Sequence, residues 1–105
     1  MANTAKALFR GAATTNTATV LYTVPTTSTT TVVTNIAVTN TAASAGTFTL
    51  AIDGVALHTT TDIAAKTTVY IDCKQVIPAN ATPKTITGGA SATTINLHIS
   101  GMEIV

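Results

Sequence analysis

Apolar and polar residues alternate with a period of two along most of this chain, and helical spacing is almost absent. The first clear strand carries Val20, Tyr22 and Val24 on one face and ends at Pro25, where a run of Pro, Thr and Ser residues predicts a loop. From Thr31 to Thr39 both faces carry apolar residues, which is typical of a central strand or of a strand at an interface. The chain therefore reads as a β protein.

Strict alternation within that second strand has a consequence for its faces. It places Val32, Ile36 and Val38 on one side, with Val33 and Ala37 on the other. The segment from 40 to 46 that follows consists of small residues and predicts a loop.

The segment Thr47 to His58 predicts a β-hairpin. Its first arm alternates apolar and small residues up to Asp53-Gly54, a strong signal for a two-residue turn because glycine accepts a positive φ. Such a turn gathers the apolar residues of both arms on one face. The predicted cross-strand pairs are Ile52 with Val55, Ala51 with Ala56, Leu50 with Leu57, Thr49 with His58 and Phe48 with Thr59.

The second half of the chain predicts further short strands and turns. Thr59 to Asp62 reads as a turn, and Thr67 to Ile77 reads as a long strand whose alternation breaks near Lys74-Gln75, as at a bulge or a strand end. Lys84 to Thr87 predicts a short edge strand, and Gly88-Gly89 predicts a turn after it.

The last strand completes the fold class. Apolar residues alternate from Ile95 to Ile99 and then change face across Gly101, where glycine permits a bend or a bulge. We therefore expect seven to eight short strands in a single domain over residues 1–105, as an antiparallel β-sandwich of jelly-roll or Ig-like type. Residues 1–16 are expected to be either an N-terminal arm or the first strand.

Leu8 and Phe9 stand out within that N-terminal segment, since they are flanked by Lys6 and Arg10 in a chain with two Phe, two Tyr and no Trp. An apolar pair near a terminus is either part of a first strand or an anchor laid on a neighbouring subunit. Of the two interpretations, the strand is favoured.

Composition excludes some partners. The chain has 26 threonines, and charged residues make up 9% of it, with a net charge of +1. No basic run offers an electrostatic footprint for nucleic acid or anionic lipid. Thr or Asn interrupts every apolar segment well before the roughly 18 residues of a membrane span. We therefore expect no nucleic-acid partner and no membrane partner.

Few side chains suggest chemistry. His58 and Asp62 are four residues apart, but the threonines between them indicate a turn rather than a metal site. His98 alternates outward, and Ser100 lacks the strand-turn-helix elbow that exposes a nucleophile. Cys73 is expected on the inward face, as a buried structural thiol. We expect no enzyme, with no catalytic residue, no metal and no cofactor.

Four segments resemble small virion structural proteins of tailed bacteriophages. They read LYTVP at 21–25, VTNIAVTNT at 33–41, TFTLAIDG at 47–54 and NLHISGMEI at 96–104. The similarity spans most of the chain. Proteins of this kind are generally β-sandwiches that act as oligomers, attached to capsids as decoration or cement subunits or built into tails and fibres.

This resemblance implies a function that the residue pattern does not reach. It implies a non-enzymatic capsid decoration protein that binds the major capsid protein or other virion proteins and stabilises the assembled lattice. It also implies a homo-oligomer, with a trimer favoured, located in the virion after assembly in the bacterial cytoplasm. Leu8 and Phe9 are then the candidate capsid or subunit anchor. The alternatives are a tail or fibre component and, in another class, a glycan-binding module.

Overall fold

The computed structural model describes residues 3–25, 29–72, 74–80 and 82–105. Across these ranges the secondary structure consists of nine β-strands. They are β1 (Asn3–Ala12), β2 (Thr19–Thr23), β3 (Thr30–Asn40), β4 (Gly46–Ile52), β5 (Val55–Ile63), β6 (Thr67–Ile71), β7 (Gln75–Ile77), β8 (Thr85–Ala90) and β9 (Ile95–Ile104).

The strands form two packed antiparallel sheets. In the first sheet the order is β1-β9-β3-β6, and β7 also pairs with β3. In the second sheet the order is β2-β8-β4-β5. The predicted antiparallel β-sandwich is confirmed, with nine strands instead of seven to eight. The segment predicted as one strand from Thr67 to Ile77 contributes to the difference, because it divides into β6 and β7 along the same partner strand.

The strand order identifies the sandwich as a jelly roll. Four antiparallel strand pairs follow one another as in a single long hairpin folded back on itself. They are β1 with β9, β2 with β8, β3 with β6 and β4 with β5. Successive pairs alternate between the two sheets, which is how a rolled-up hairpin forms a two-layered jelly roll. Strand β7 is an addition to that eight-stranded pattern.

The core lies between the sheets and is built from the inner positions of both. Each of its largest side chains has less than 2% of its surface exposed. Alternation along the strands produces this layer, since every second residue points inward. The members include Val33, Ile36, Val38, Leu97 and Ile99 from the first sheet and Phe48, Leu50, Ile63 and Ile86 from the second.

The predicted faces of β3 need a correction. The pairing with β9 shifts between Val33 and Asn35, which makes Thr34 an extra, bulged residue. On either side of this bulge, Val33 and Ile36 both point into the core, whereas Val32 lies on the outer face. The prediction that Val32 and Ile36 share a face is wrong because a single inserted residue reverses the alternation.

The hairpin turn is confirmed. Ile52 pairs with Val55 and Ala51 with Ala56, as predicted. Asp53 and Gly54 have φ values of 54° and 73°, the left-handed geometry of a two-residue turn that matches the twist of its strands.

Farther from the turn the predicted register is wrong. Leu50 pairs with His58 and Phe48 with Thr61, because β5 carries extra residues at two register shifts. One shift includes Thr60, whose φ of 46° is unusual for a β-branched residue. The predicted turn over Thr59 to Asp62 is also wrong, since β5 continues to Ile63.

Gly88 and Gly89 lie inside β8, not in a turn, and β8 is an interior strand instead of the expected edge. A Cβ atom on Gly88 would lie 2.6 Å from the Thr49 carbonyl oxygen, and one on Gly89 would lie 2.5 Å from that of Asn16. These glycines therefore allow neighbouring backbone to approach closely.

The N-terminal segment forms a strand of the first sheet. Residues 3–12 pair with β9 along its whole length, and Leu8 is the extra residue where the register shifts between Ala7 and Phe9. The bulge expected at Gly101 of β9 is found instead in the two strands that flank β9. The extra residues at those register shifts are Leu8 of β1 and Thr34 of β3.

Candidate functional site

A polar cluster joins the two sheets where β1, β2 and β9 meet. The hydroxyl of Tyr22 in β2 donates a hydrogen bond to Oε2 of Glu103 in β9. The Nζ atom of Lys6 in β1 lies 3.3 Å from Oε1 of the same carboxylate and 5.5 Å from the centroid of the Tyr22 ring. We call these three residues the Lys6–Tyr22–Glu103 cluster.

Within the cluster the pKa values of Glu103 and Tyr22 shift in opposite directions. The hydrogen bond from Tyr22 lowers the pKa of Glu103, and Lys6 lowers it further. Burial raises the pKa of Tyr22, and the neighbouring Glu103 raises it further. Around neutral pH the pair is therefore a phenol donor facing a carboxylate acceptor. This hydrogen bond links one sheet to the other.

The sequence pattern did not predict the Lys6–Tyr22–Glu103 cluster. Tyr22 and Glu103 are 81 positions apart, and Lys6 is 97 positions from Glu103. The one available signal was Glu103 itself, an acidic residue in phase with the inward positions of the last strand.

The candidate anchor residues lie within the body of the domain. Leu8 is 6% exposed and belongs to the core, and Phe9 packs against that core. Their assignment to a strand is thus settled by the structure, whereas contact with a capsid or another subunit stays a prediction.

The hairpin turn is held by local contacts. The Asp53 carboxylate lies 3.2 Å from Nζ of Lys84, and the Asp53 N–H donates to the carbonyl of Thr85 at 2.8 Å. These contacts fix the β4–β5 turn against the start of β8.

The other candidate residues are not brought together. The His58 ring packs against Phe48 at 5.3 Å between centroids, and Asp62 is exposed beside Thr47 in the register. His98 and Ser100 lie on the outer face of β9. Cys73 lies outside the described residues.

Neither a pocket nor a metal-binding group of three or more His, Cys, Asp or Glu residues is found in the part of the chain that the structure describes. The same residues include no helix long and apolar enough to cross a membrane.

The outer side of the second sheet presents an uncharged surface, which we call the second-sheet face. One row crosses all four strands in register, and Thr49 extends it along β4. Charged residues lie beyond this row, with Asp62 beside Thr47 and the Asp53–Lys84 pair at the hairpin. The face is defined by Val20, Thr87, Ala51, Ala56 and Thr49. The prediction that Val20 shares a face with Tyr22 and Val24 is wrong, because the pairing of β2 with β8 shifts between Val20 and Tyr22.

The outer side of the first sheet presents a second surface, the first-sheet face. Two rows cross its strands in register. Tyr70 is 74% exposed and Val76 is 63% exposed, so large apolar groups face solvent at its β6–β7 edge. The rows are Ala5, Met102, Val32 and Val76, and Arg10, His98, Ala37 and Tyr70.

No protein-family model matches the chain, and no curated protein matches it.

Proposed function

We propose that the chain is a non-enzymatic structural subunit of a bacteriophage virion, and specifically a capsid decoration protein. In this role it binds the major capsid protein of the assembled shell and stabilises the lattice. It acts as a homo-oligomer, for which the resemblance favours a trimer, and it joins the virion in the host cytoplasm.

The observation that carries the proposal is the second-sheet face. Its small and β-branched side chains can be buried against a partner at little desolvation cost, since none of the five is charged and threonine hydroxyls can hydrogen bond across an interface. The four segments that resemble virion proteins supply residues to β2, β3, β4 and β9 of this framework. A jelly roll is also an architecture that viral capsid proteins use, which supports the proposal by analogy alone.

Stabilisation then follows from mass action. A subunit that binds the assembled shell but not free capsid protein shifts the equilibrium toward the shell. Five cations and four anions cannot build a strong complementary field, so binding depends weakly on salt concentration.

The test begins with the copy number in purified virions, measured by quantitative mass spectrometry. Many copies support a shell protein, a few copies indicate the tail or fibre alternative, and absence from the particle overturns the proposal. Glycan binding without virion association would favour the glycan-binding module.

The second-sheet face is tested by particle co-sedimentation of two lysine variants. Ala56→Lys places a charge on that face, and Ala43→Lys places the same charge on an exposed loop position as a control. We expect Ala56→Lys to weaken particle binding by about tenfold or more and the control to bind normally. Equal binding by both variants excludes this face as the capsid contact.

A further inference from the structure

The outer side chains of the first-sheet face differ in size between its two edges. On the β1 edge its outer residues are Asn3, three alanines at positions 5, 7 and 12, and Arg10. On the opposite edge β6 and β7 present two large and strongly exposed side chains, Tyr70 and Val76. Most side chains of the β1 edge therefore project less from the sheet than those of the β6–β7 edge.

We propose that this face is a self-association surface, on which the β1 edge of one copy covers the β6–β7 edge of a second copy of this chain. The inference does not depend on the virion role. Its first basis is shape, because Ala5 of one copy leaves space that Val76 of the other copy fills.

A symmetry axis parallel to the strands keeps the two rows of the face aligned between copies. It brings Arg10 of one copy over Tyr70 of the next, and Ala5 over Val76. A guanidinium over an aromatic ring is a favourable cation–π pair. Arg10 is the one Lys, Arg, Asp or Glu among the eight residues of these rows. Asp72, two residues beyond Tyr70 and 89% exposed, adds an anion at the edge that receives Arg10, although Lys74 lies 3.6 Å from it.

The area of the face suits such a contact. Four strands and about ten residues of length span roughly 19 by 33 Å, or about 600 Å² in projection. A standard interface buries about 800 Å² per partner, and side-chain relief makes the accessible area larger than the projection. A two-fold axis brings both pairs of edges together at once and buries the whole face, whereas a three-fold axis brings only one pair of edges together at each contact.

Sedimentation equilibrium at micromolar concentration tests the proposal with a matched pair of variants. Val76→Lys alters the face, whereas Val55→Lys alters an equally exposed valine, 69% exposed beside the hairpin turn of the other sheet. We expect the wild type and Val55→Lys to associate and Val76→Lys to dissociate at least about tenfold more readily, with unchanged circular dichroism.

A double-mutant cycle in the association constant tests the pairing itself. Within one copy Arg10 and Tyr70 lie three strand spacings apart, about 14 Å, so Arg10→Ala and Tyr70→Ala are expected to act independently unless they meet across copies. Coupling of about two- to fivefold supports the contact. A monomeric wild type, equal association of the two valine variants, or an additive cycle overturns the proposal.

Discussion

Tyr22 and Glu103 form a hydrogen bond between the two sheets although they are 81 positions apart in the chain. Tyr22 belongs to an outer strand of the second sheet, and Glu103 belongs to an interior strand of the first. Glu103 is little exposed, at 15% of its side chain, so this bond forms in a partly desolvated setting. Lys6 contacts the same carboxylate but is 45% exposed, and exposed ion pairs contribute little.

The cluster predicts how stability depends on pH. Because the pKa of Glu103 is lower in the folded chain than its usual value of 4.5, its carboxylate stabilises the fold above that pH, and this contribution is lost as the pH falls. We expect Glu103→Gln to lower the free energy of unfolding at neutral pH and to flatten its decline from about pH 5 downward. Urea unfolding at several pH values measures both effects.

Two variants separate the bonds to Glu103. Tyr22→Phe is expected to cost about 1.5–3 kcal/mol, as for a hydrogen bond to a charged group, and Lys6→Ala less than about 1 kcal/mol. The pKa of Tyr22 is raised, so its contribution is present below pH 10.0 and is lost at higher pH. Equal losses for the two variants would show that the sheets are not joined mainly through Tyr22.

Strand β4 predicts opposite results for neighbouring positions. Leu50→Asp buries an unpaired charge in the core and is expected to unfold the domain. Thr49→Asp is expected to change stability by no more than about 1 kcal/mol, since a carboxylate can still accept the N–H of Thr60, which is 3.0 Å from the Thr49 hydroxyl. Circular dichroism melting of both variants checks the assignment, which fails if they behave alike.

The packing around β8 leaves no space for a side chain at Gly89. In Gly89→Ala the new Cβ meets the carbonyl oxygens of Asn16 and Thr14 at 2.5 and 2.7 Å, and backbone must move. We expect a loss of about 1–3 kcal/mol or more. Gly11→Ala is the control, because its nearest neighbour is Cζ of Phe9 at 3.6 Å. Thermal melts that rank Gly11→Ala as the more damaging change would contradict this packing.

The N-terminal strand predicts the outcome for Leu8 and Phe9. Leu8 is a core residue, so Leu8→Ala with Phe9→Ala is expected to lower the free energy of unfolding by at least about 2–5 kcal/mol. Thermal stability and particle co-sedimentation are measured on the same sample. Loss of particle binding at unchanged stability would instead favour the anchor interpretation, and no change in either would show that the pair is unimportant.

Much of the fold was predictable because its determinants are local. Alternation with period two marks the strands, and Asp53-Gly54 specifies its own turn, since the left-handed backbone there depends on those two residues. The pairs nearest that turn, Ile52 with Val55 and Ala51 with Ala56, follow from it directly.

Other features were not predictable because partners distant in sequence impose them. The bulges at Leu8 and Thr34 flank β9, so it is the register of a shared neighbour that turns Val33 inward and Val32 outward. In sequence Gly88 and Gly89 are typical of a turn, but in the fold glycine is required because the backbone of Asn16 packs against β8.

The sequence by itself determined that this chain is an antiparallel β-sandwich with a tight hairpin, because alternation and turn chemistry act over a few residues. Tertiary structure alone decided the jelly-roll order, the placement of Leu8 in the core and the pairing of Tyr22 with Glu103. Each of these depends on which strands become neighbours, and that is set by packing across the whole domain instead of by any one segment.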